Sequence, residues 1–298
     1  MGKDNTVEKR DAVQAKVVPF FEEDTNTFSY VVSDPSSNAC AIIDSVLDFD
    51  MASGNVEHNS AQSIIRYVEE KDLEVEWIIE THVHADHLSA APYLKEHLGG
   101  KIAIGDKVSI VQEVFGSIFN AGPDFKSDGS QFDHLFTDGE QYSIGNLQAY
   151  VMHTPGHTPA CMTHVIGDAV FAGDTIFMPD AGTARADFPG GDAATLYQSI
   201  KKILSLPAHN KIYMCHDYGE GRDVEYLTSV KEELESNIHV NAQMEESEFV
   251  SMREARDKTL AVPHLILPSL QVNMRAGHLP EAEGDGRVYL KIPVDALR

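Results

Sequence analysis

Cysteine is scarce in this chain, with Cys40, Cys161 and Cys215 the only three in 298 residues. Their odd count and wide spacing exclude a disulfide framework and point to a reducing, cytoplasmic compartment. Positive charge is also short: 23 Lys and Arg stand against 47 Asp and Glu, for a formal charge of -24. A surface of that sign repels phosphate, so neither nucleic acid nor an anionic membrane is expected as a partner. A salt-rich habitat would produce the same excess, so the charge says nothing further about function. No apolar run approaches the roughly 18 residues of a membrane span. Residues 1–16 lack the apolar core of a signal peptide. Met1-Gly2-Lys3-Asp4-Asn5-Thr6 fits the loose myristoylation pattern, but no polybasic stretch follows to give a second anchor. Residues 1–16 are therefore expected to be a flexible tail and residues 17–298 a single domain, with no repeat or linker dividing it.

The pattern within that domain alternates strands and helices. Residues 28–32 and 39–44 read as a hairpin across Asp34-Pro35-Ser36-Ser37-Asn38. Residues 45–58 read as an exposed loop, and 60–73 as a helix capped by Ser60 or Asn59. A strand over 75–80, a helix over 89–98, a strand over 101–104 and a helix over 106–115 follow. Residues 120–139 carry little periodicity and read as a surface excursion. Strand pairs are expected at 142–144 with 147–151 and at 161–166 with 169–172, the first across Gly145-Asn146. Asp192 caps the clearest amphipathic helix, which runs to Leu206. A strand over 211–215, helices over 223–237 and 245–258, and a β-like run over 288–292 complete the chain. This layout predicts an α/β fold with two sheets and helices packed outside them.

Chemistry concentrates where strands end. Thr81-His82-Val83-His84-Ala85-Asp86-His87 follows the strand over 75–80. His153-Thr154-Pro155-Gly156-His157, Gly173-Asp174 and Cys215-His216-Asp217-Tyr218 each follow another. Together these loops offer His82, His84, Asp86, His87, His157, Asp174 and His216. Imidazoles and carboxylates crowded at rigid strand ends are the usual donors to a transition metal. His157 alone would read as a structural histidine and Asp174 alone as a turn residue; the ordered set is what points to a metal. Cys161 and Cys215 read as small buried core residues, since neither has neighbours that would activate a thiol.

This set resembles the metallo-β-lactamase superfamily. Pro155-Gly156-His157-Thr158-Pro159-Ala160-Cys161, Gly182-Thr183-Ala184-Arg185-Ala186-Asp187-Phe188, Cys215-His216-Asp217-Tyr218 and Asn273-Met274-Arg275 are similar to motifs of its persulfide dioxygenase (sulfur dioxygenase) branch. The stretch 44–59 and Leu88–Leu94 look more like the bacterial β-lactamase-like hydrolase subgroup. The resemblance implies an αββα sandwich of the metallo-β-lactamase type and one Fe(II) held by His82, His157 and Asp174. These three would form a 2-His-1-carboxylate triad that leaves coordination positions open. The implied catalytic activity is oxidation of glutathione persulfide by O2, with water, to glutathione and sulfite. His84, Asp86, His87 and His216 would then surround the site, or hold a second metal. Arg185 and Arg275 are candidates for the carboxylates of glutathione, with Tyr218 as a hydroxyl donor. A homodimer is expected on the same ground. No rhodanese-type loop occurs, so the dioxygenase unit is expected alone, and no role is read for residues 276–298.

Two other readings stay open. A dinuclear zinc hydrolase of thioesters or lactones, similar to glyoxalase II, would use Asp174 as a bridge between ions. A non-catalytic metal- or persulfide-binding module would need no open positions. Occupancy at His84, Asp86, His87 and His216 separates oxygenase from hydrolase.

Overall fold

The computed structural model describes residues 14–219 and 221–296. Most of the expected tail, residues 1–13, lies outside the described residues. The first half of the chain runs β1 (Lys16–Glu22), β2 (Thr27–Ser33), β3 (Ala39–Ile43), β4 (Val46–Asp50), β5 (Asn55–Glu57), α1 (Asn59–Glu70), β6 (Glu74–Ile79), β7 (Leu88–Ser89), α2 (Ala91–Leu98), β8 (Lys101–Gly105), α3 (Val108–Ile118) and β9 (His134–Phe136). The second half runs β10 (Gln141–Ile144), β11 (Leu147–His153), β12 (Met162–Ile166), β13 (Ala169–Phe171), a 3-10 turn (Gly173–Thr175), α4 (Ala193–Leu204), β14 (Lys211–Tyr213), β15 (Leu227–Ser229), α5 (Val230–Ser236), α6 (Glu246–Asp257) and α7 (Ile266–Asn273).

Two six-stranded sheets result, in the orders β1-β2-β3-β6-β8-β9 and β10-β11-β12-β13-β14-β15. Successive residues of a strand point to opposite faces, and here both faces are covered. Tyr30, Val32, Ile43 and Ile79 of the first sheet pack with Ile144, Val151, Phe171 and Tyr213 of the second. Their neighbours Val31, Ile42, Ile78 and Ile102 turn outward onto Ile64 of α1, Leu94 of α2 and Leu270 of α7. On the far side Val165, Val170 and Ile212 meet Leu196 and Ile200 of α4 and Phe249 of α6. The two sheets with outer helices expected from the pattern are therefore present, as the αββα sandwich that the resemblance implies. Among the described residues no helix is long and apolar enough to cross a membrane.

Several local expectations need correcting. Residues 45–58 are not a loop: β4 and β5 form a hairpin, and β4 also pairs with β7, Val46 opposite Ser89 and Leu47 opposite Leu88. Neither Asn59 nor Ser60 caps α1, which is preceded by His58 with no side-chain cap. Asp48 instead accepts from Ser60 N at 3.0 Å and Ser60 Oγ at 2.5 Å, so a carboxylate from β4 does the capping. The span 120–139 includes β9, which lies parallel to β8. The helix expected over 223–237 is split into β15 and α5, with Ser229 accepting from Glu232 N at 3.1 Å as the cap. Residues 288–292 form no strand. Gln271 holds them instead, receiving Lys291 N at 2.8 Å and donating to Lys291 O at 3.0 Å. Lys16, expected in the tail for its polarity, opens β1 opposite Ser33.

One buried acid gives a stability prediction. Glu233 of α5 is 0 % exposed, and burial pushes its carboxyl up to about 8, against one hydrogen bond from Asn237 at 2.6 Å. A carboxyl raised in the folded state favours folding while protonated; that benefit is complete below its ordinary value of 4.5 and disappears as pH rises through about 8. Glu233→Gln keeps the shape without the charge. The variant should match wild type in chemical denaturation at pH 4.5 and exceed it at pH 8.5 by a few kcal/mol, since each tenfold change in proton affinity is worth about 1.4 kcal/mol. An unchanged difference across that range would contradict the assignment.

Candidate metal centre

The donor loops converge where the two sheets meet. His82 and His84 follow β6, His157 follows β11, Asp174 follows β13, and His216 follows β14. His82 Nε2 lies 3.8 Å and His157 Nε2 3.7 Å from Asp174 Oδ2. An ion about 2.1 Å from each of two donors holds them at most about 4.2 Å apart, so both separations fit one ion. The second nitrogen of each imidazole is occupied. His82 Nδ1 is 3.0 Å from Thr81 Oγ1, and His157 Nδ1 donates to the Arg185 carbonyl at 2.8 Å. Tethering one ring nitrogen and leaving the other bare is how a protein aims a histidine at a metal. His82 Nε2 and Asp174 Oδ1 are buried with no hydrogen-bond partner, a cost that an ion would remove.

A second group stands beside the first. One donor atom each from His84, Asp86, His87 and His216 lies within 4.8 Å of the others. His216 Nε2 is 3.0 Å from Asp86 Oδ2 and 3.3 Å from Asp174 Oδ1. Its Nδ1 is 3.2 Å from the Asn26 carbonyl and 3.3 Å from Thr27 Oγ1. His84 Nδ1 and both nitrogens of His87 have no hydrogen-bond partner. All seven residues expected from the sequence are thus brought together.

Electrostatics divides them. Burial, with His84 and His157 nearby, holds His82 well below the ordinary histidine range, which keeps it neutral, the form that ligates. Burial alone would lower His84 too, but Asp44 and Glu80 raise it well above that range. Burial likewise opposes protonation of His216, but Asp86 and Asp174 outweigh it and lift the ring to about 9.

Asp44, which in the sequence reads as no more than a strand end, joins the site. It is 3 % exposed. Its Oδ1 receives Thr81 N at 2.7 Å and lies 3.0 Å from His84 Nε2; its Oδ2 receives Thr81 Oγ1 at 2.9 Å. Glu80 Oε2 lies 3.2 Å from the same His84 nitrogen. Burial would raise the Asp44 carboxyl, but His84 and the two Thr81 bonds hold it low. The signal in the sequence is an acid closing an apolar strand, the same signal that singles out Asp174.

The expected substrate residues fare differently. Asp86, His157, Asp174, Phe177, Arg185 and Tyr218 all line one cavity of about 1210 Å3. Tyr218 is 53 % exposed, with its ring stacked 6.4 Å from that of His216. Arg185 reaches the cavity, but its guanidinium bonds Asp187 at 2.6 and 2.9 Å and the Ala261 carbonyl at 2.6 Å. Arg275 is not brought to the cavity lining. It follows α7, where its guanidinium lies 4.7 Å over the Phe125 ring and donates to the Gln271 carbonyl at 2.5 Å. The cysteines are buried and free. Burial pushes the Cys161 thiol up to about 12 and, with Asp44 and Asp174 nearby, raises Cys215 well above the ordinary thiol range, so both are neutral rather than nucleophilic.

An αββα sandwich with H-x-H-x-D-H and three further ligand loops at its strand ends defines a class, and the sequence profile described as the metallo-beta-lactamase superfamily matches residues 23–216. The chain belongs to that superfamily. A probable metallo-hydrolase of Burkholderia pseudomallei is 55% identical over 289 residues, covering 93% of this chain and 98% of the relative. The mitochondrial persulfide dioxygenase ETHE1 of Bos taurus is 30% identical over 260 residues, covering 86% of this chain and 87% of the relative. Among solved structures, ETHE1 from Myxococcus xanthus superposes with a TM-score of 0.70 at 26% identity, covering 88% of this chain and 100% of that one.

Proposed function

We propose that this protein is an iron-dependent persulfide dioxygenase that oxidises glutathione persulfide. The observation that carries the reading is a contrast between the two donor groups. In the triad, Asp174 Oδ2 stands 3.7 and 3.8 Å from its two imidazoles, beyond hydrogen-bond reach and within reach of a shared ion. In the neighbouring group, His216 Nε2 and Asp86 Oδ2 form a charge pair at 3.0 Å, which offsets the charge of both without an ion. One ion in the triad, with the His216–Asp86 charge pair beside it, is the occupancy we read from this spacing. The likeness to ETHE1 supports the same reading.

Iron(II) held by His82, His157 and Asp174 would supply a redox-active centre with open positions for a persulfide sulfur and for O2, which closed-shell zinc does not. The chain's own residues do the rest. Thr81 and the Arg185 carbonyl fix the two rings, so the triad needs little reorganisation when it loads. Asp187 locks Arg185, and with it the carbonyl that orients His157. Phe177 and Phe188 close the cavity wall near the triad and limit bulk water there. Tyr218 places a phenol in the cavity beside His216 for a polar group of the substrate. The sum is glutathione persulfide, O2 and water giving glutathione, sulfite and two protons. The terminal sulfur gives up the four electrons that O2 accepts. Three buried free thiols agree with a reducing cytoplasm as the place of work.

The second reading is a dinuclear zinc hydrolase. What favours it is the completeness of the neighbouring group and the name of the Burkholderia relative. Anaerobic turnover separates the two. The dioxygenase consumes no persulfide without O2 and leaves S-lactoylglutathione intact. Oxygen-independent hydrolysis of that thioester, with persulfide untouched in air, would establish the hydrolase instead.

A further inference from the structure

We infer that Arg256 is the cation in the metal cavity that takes a carboxylate of the substrate. The inference rests on the persulfide reading only for the identity of the sulfur end. Arg185, Arg222, Arg253 and Arg256 line the cavity. Three of them are committed. Arg185 is bidentate on Asp187. Arg222 bonds Asp180 at 2.8 Å through both Nε and Nη2, and Asp217 at 2.5 and 3.0 Å. Arg253 bonds Asp257 through Nε at 2.8 Å and the Thr183 carbonyl through Nη1 at 2.9 Å. Arg256 is exposed, and among the described residues its guanidinium has no carboxylate, carbonyl or hydroxyl partner.

A second observation marks the same stretch of wall. Arg253 and Arg256 are three residues apart on α6 and so share a face. Arg253 is 0 % exposed, yet its Nη2, 2.7 Å from Asp257 Oδ1, makes no hydrogen bond. Asp257 already neutralises that guanidinium, so the charge this stretch of wall offers a ligand is that of Arg256. Elsewhere the lining has the opposite sign: Asp48, Asp50 and Glu57 contribute from the β4–β5 hairpin. An anionic group entering the cavity is therefore drawn to α6. The ligand class is a thiol derivative with a free carboxylate, its sulfur toward Asp174 and its carboxylate on Arg256. A cavity of about 1210 Å3 has room for a tripeptide of that kind.

The test is calorimetric binding to the metal-loaded protein, with S-methylglutathione and its dimethyl ester as probes. Wild type should bind the free acid about tenfold to a hundredfold more tightly than the ester, the range of a charge-assisted hydrogen bond. Arg256→Gln should remove that preference and leave ester binding unchanged, and Arg256→Lys should retain part of it. Equal affinity of wild type for both probes, no binding of either, or an equal loss for both in Arg256→Gln would overturn the inference. Failure of the dioxygenase reading shows separately, as absent O2 uptake by wild type, which this binding measurement does not use.

Discussion

Asp174→Ala loses metal and activity together, whereas His84→Ala keeps part of its metal. Asp174 is the one carboxylate of the triad, and its Oδ2 is the atom that both His82 and His157 face. Its loss leaves two neutral imidazoles, too few donors to retain an ion through desalting. The fall in affinity should exceed the roughly 10–100-fold that follows loss of an outer partner, with O2 uptake falling to background. His84 lies against His82, its ring 4.1 Å away, but supplies no donor to that triad. Its Nε2 lies between Asp44 at 3.0 Å and Glu80 at 3.2 Å, and its removal leaves these buried carboxylates without a counter-ion. The cost there is chiefly in stability, on the order of 3–5 kcal/mol for a broken buried pair. Metal per folded chain, measured by emission spectroscopy on desalted protein, gives the answer. Equal metal loss in the two variants would mean that His84 is itself a ligand and that the site is binuclear.

Gly156→Ala is the second large effect, and it acts through the backbone. Gly156 has φ +135, a conformation that L side chains rarely adopt, and an added Cβ would lie 2.3 Å from Leu196 Cα and 2.4 Å from Leu196 N. The obstruction is main chain of α4, so no side-chain movement relieves it. Gly156 O also receives Asp192 N at 2.9 Å, which ties the His157 loop to the residue that caps α4. Backbone strain of about 1–3 kcal/mol and overpacking of a similar size add at this position. The thermal midpoint should fall by roughly 5–10 °C, and metal content should fall with it, because His157 follows directly. Gly173→Ala meets Thr81 Oγ1 at 2.4 Å, a side-chain atom, and should be the milder of the two. A Gly156→Ala protein with unchanged midpoint and metal content would contradict this account of the loop.

The donor set is legible in the sequence because each ligand closes its own apolar strand. His82, His157, Asp174 and His216 can be placed together before their strands are paired. Asp44 closes its strand in the same way, but its role is not legible, because that depends on β3 and β6 lying side by side in parallel, which sets it against Thr81. Periodicity along one strand does not reveal its neighbour. The β4–β5 hairpin is hidden for a similar reason, since part of its support comes from a two-residue strand more than thirty positions away. The run 288–292 has a strand's composition but no strand beside it, and a side chain, Gln271, takes its backbone groups. Arg275 is a substrate candidate by motif, and the chain turns its guanidinium onto Phe125 instead. Arg256 lies in a helix that reads as polar, and nothing in its spacing distinguishes it from neighbours that face solvent. Only the pairing of the other arginines that line the cavity leaves it as the uncommitted one among the described residues.

The measurement that tests the central claim is the stoichiometry of one reaction by the purified protein. Bound iron and zinc are counted, glutathione persulfide is added in air, and O2 consumed is compared with sulfite formed. A persulfide dioxygenase will hold one iron per chain and form one sulfite for each O2. Zinc at two per chain, with no O2 taken up, would contradict it.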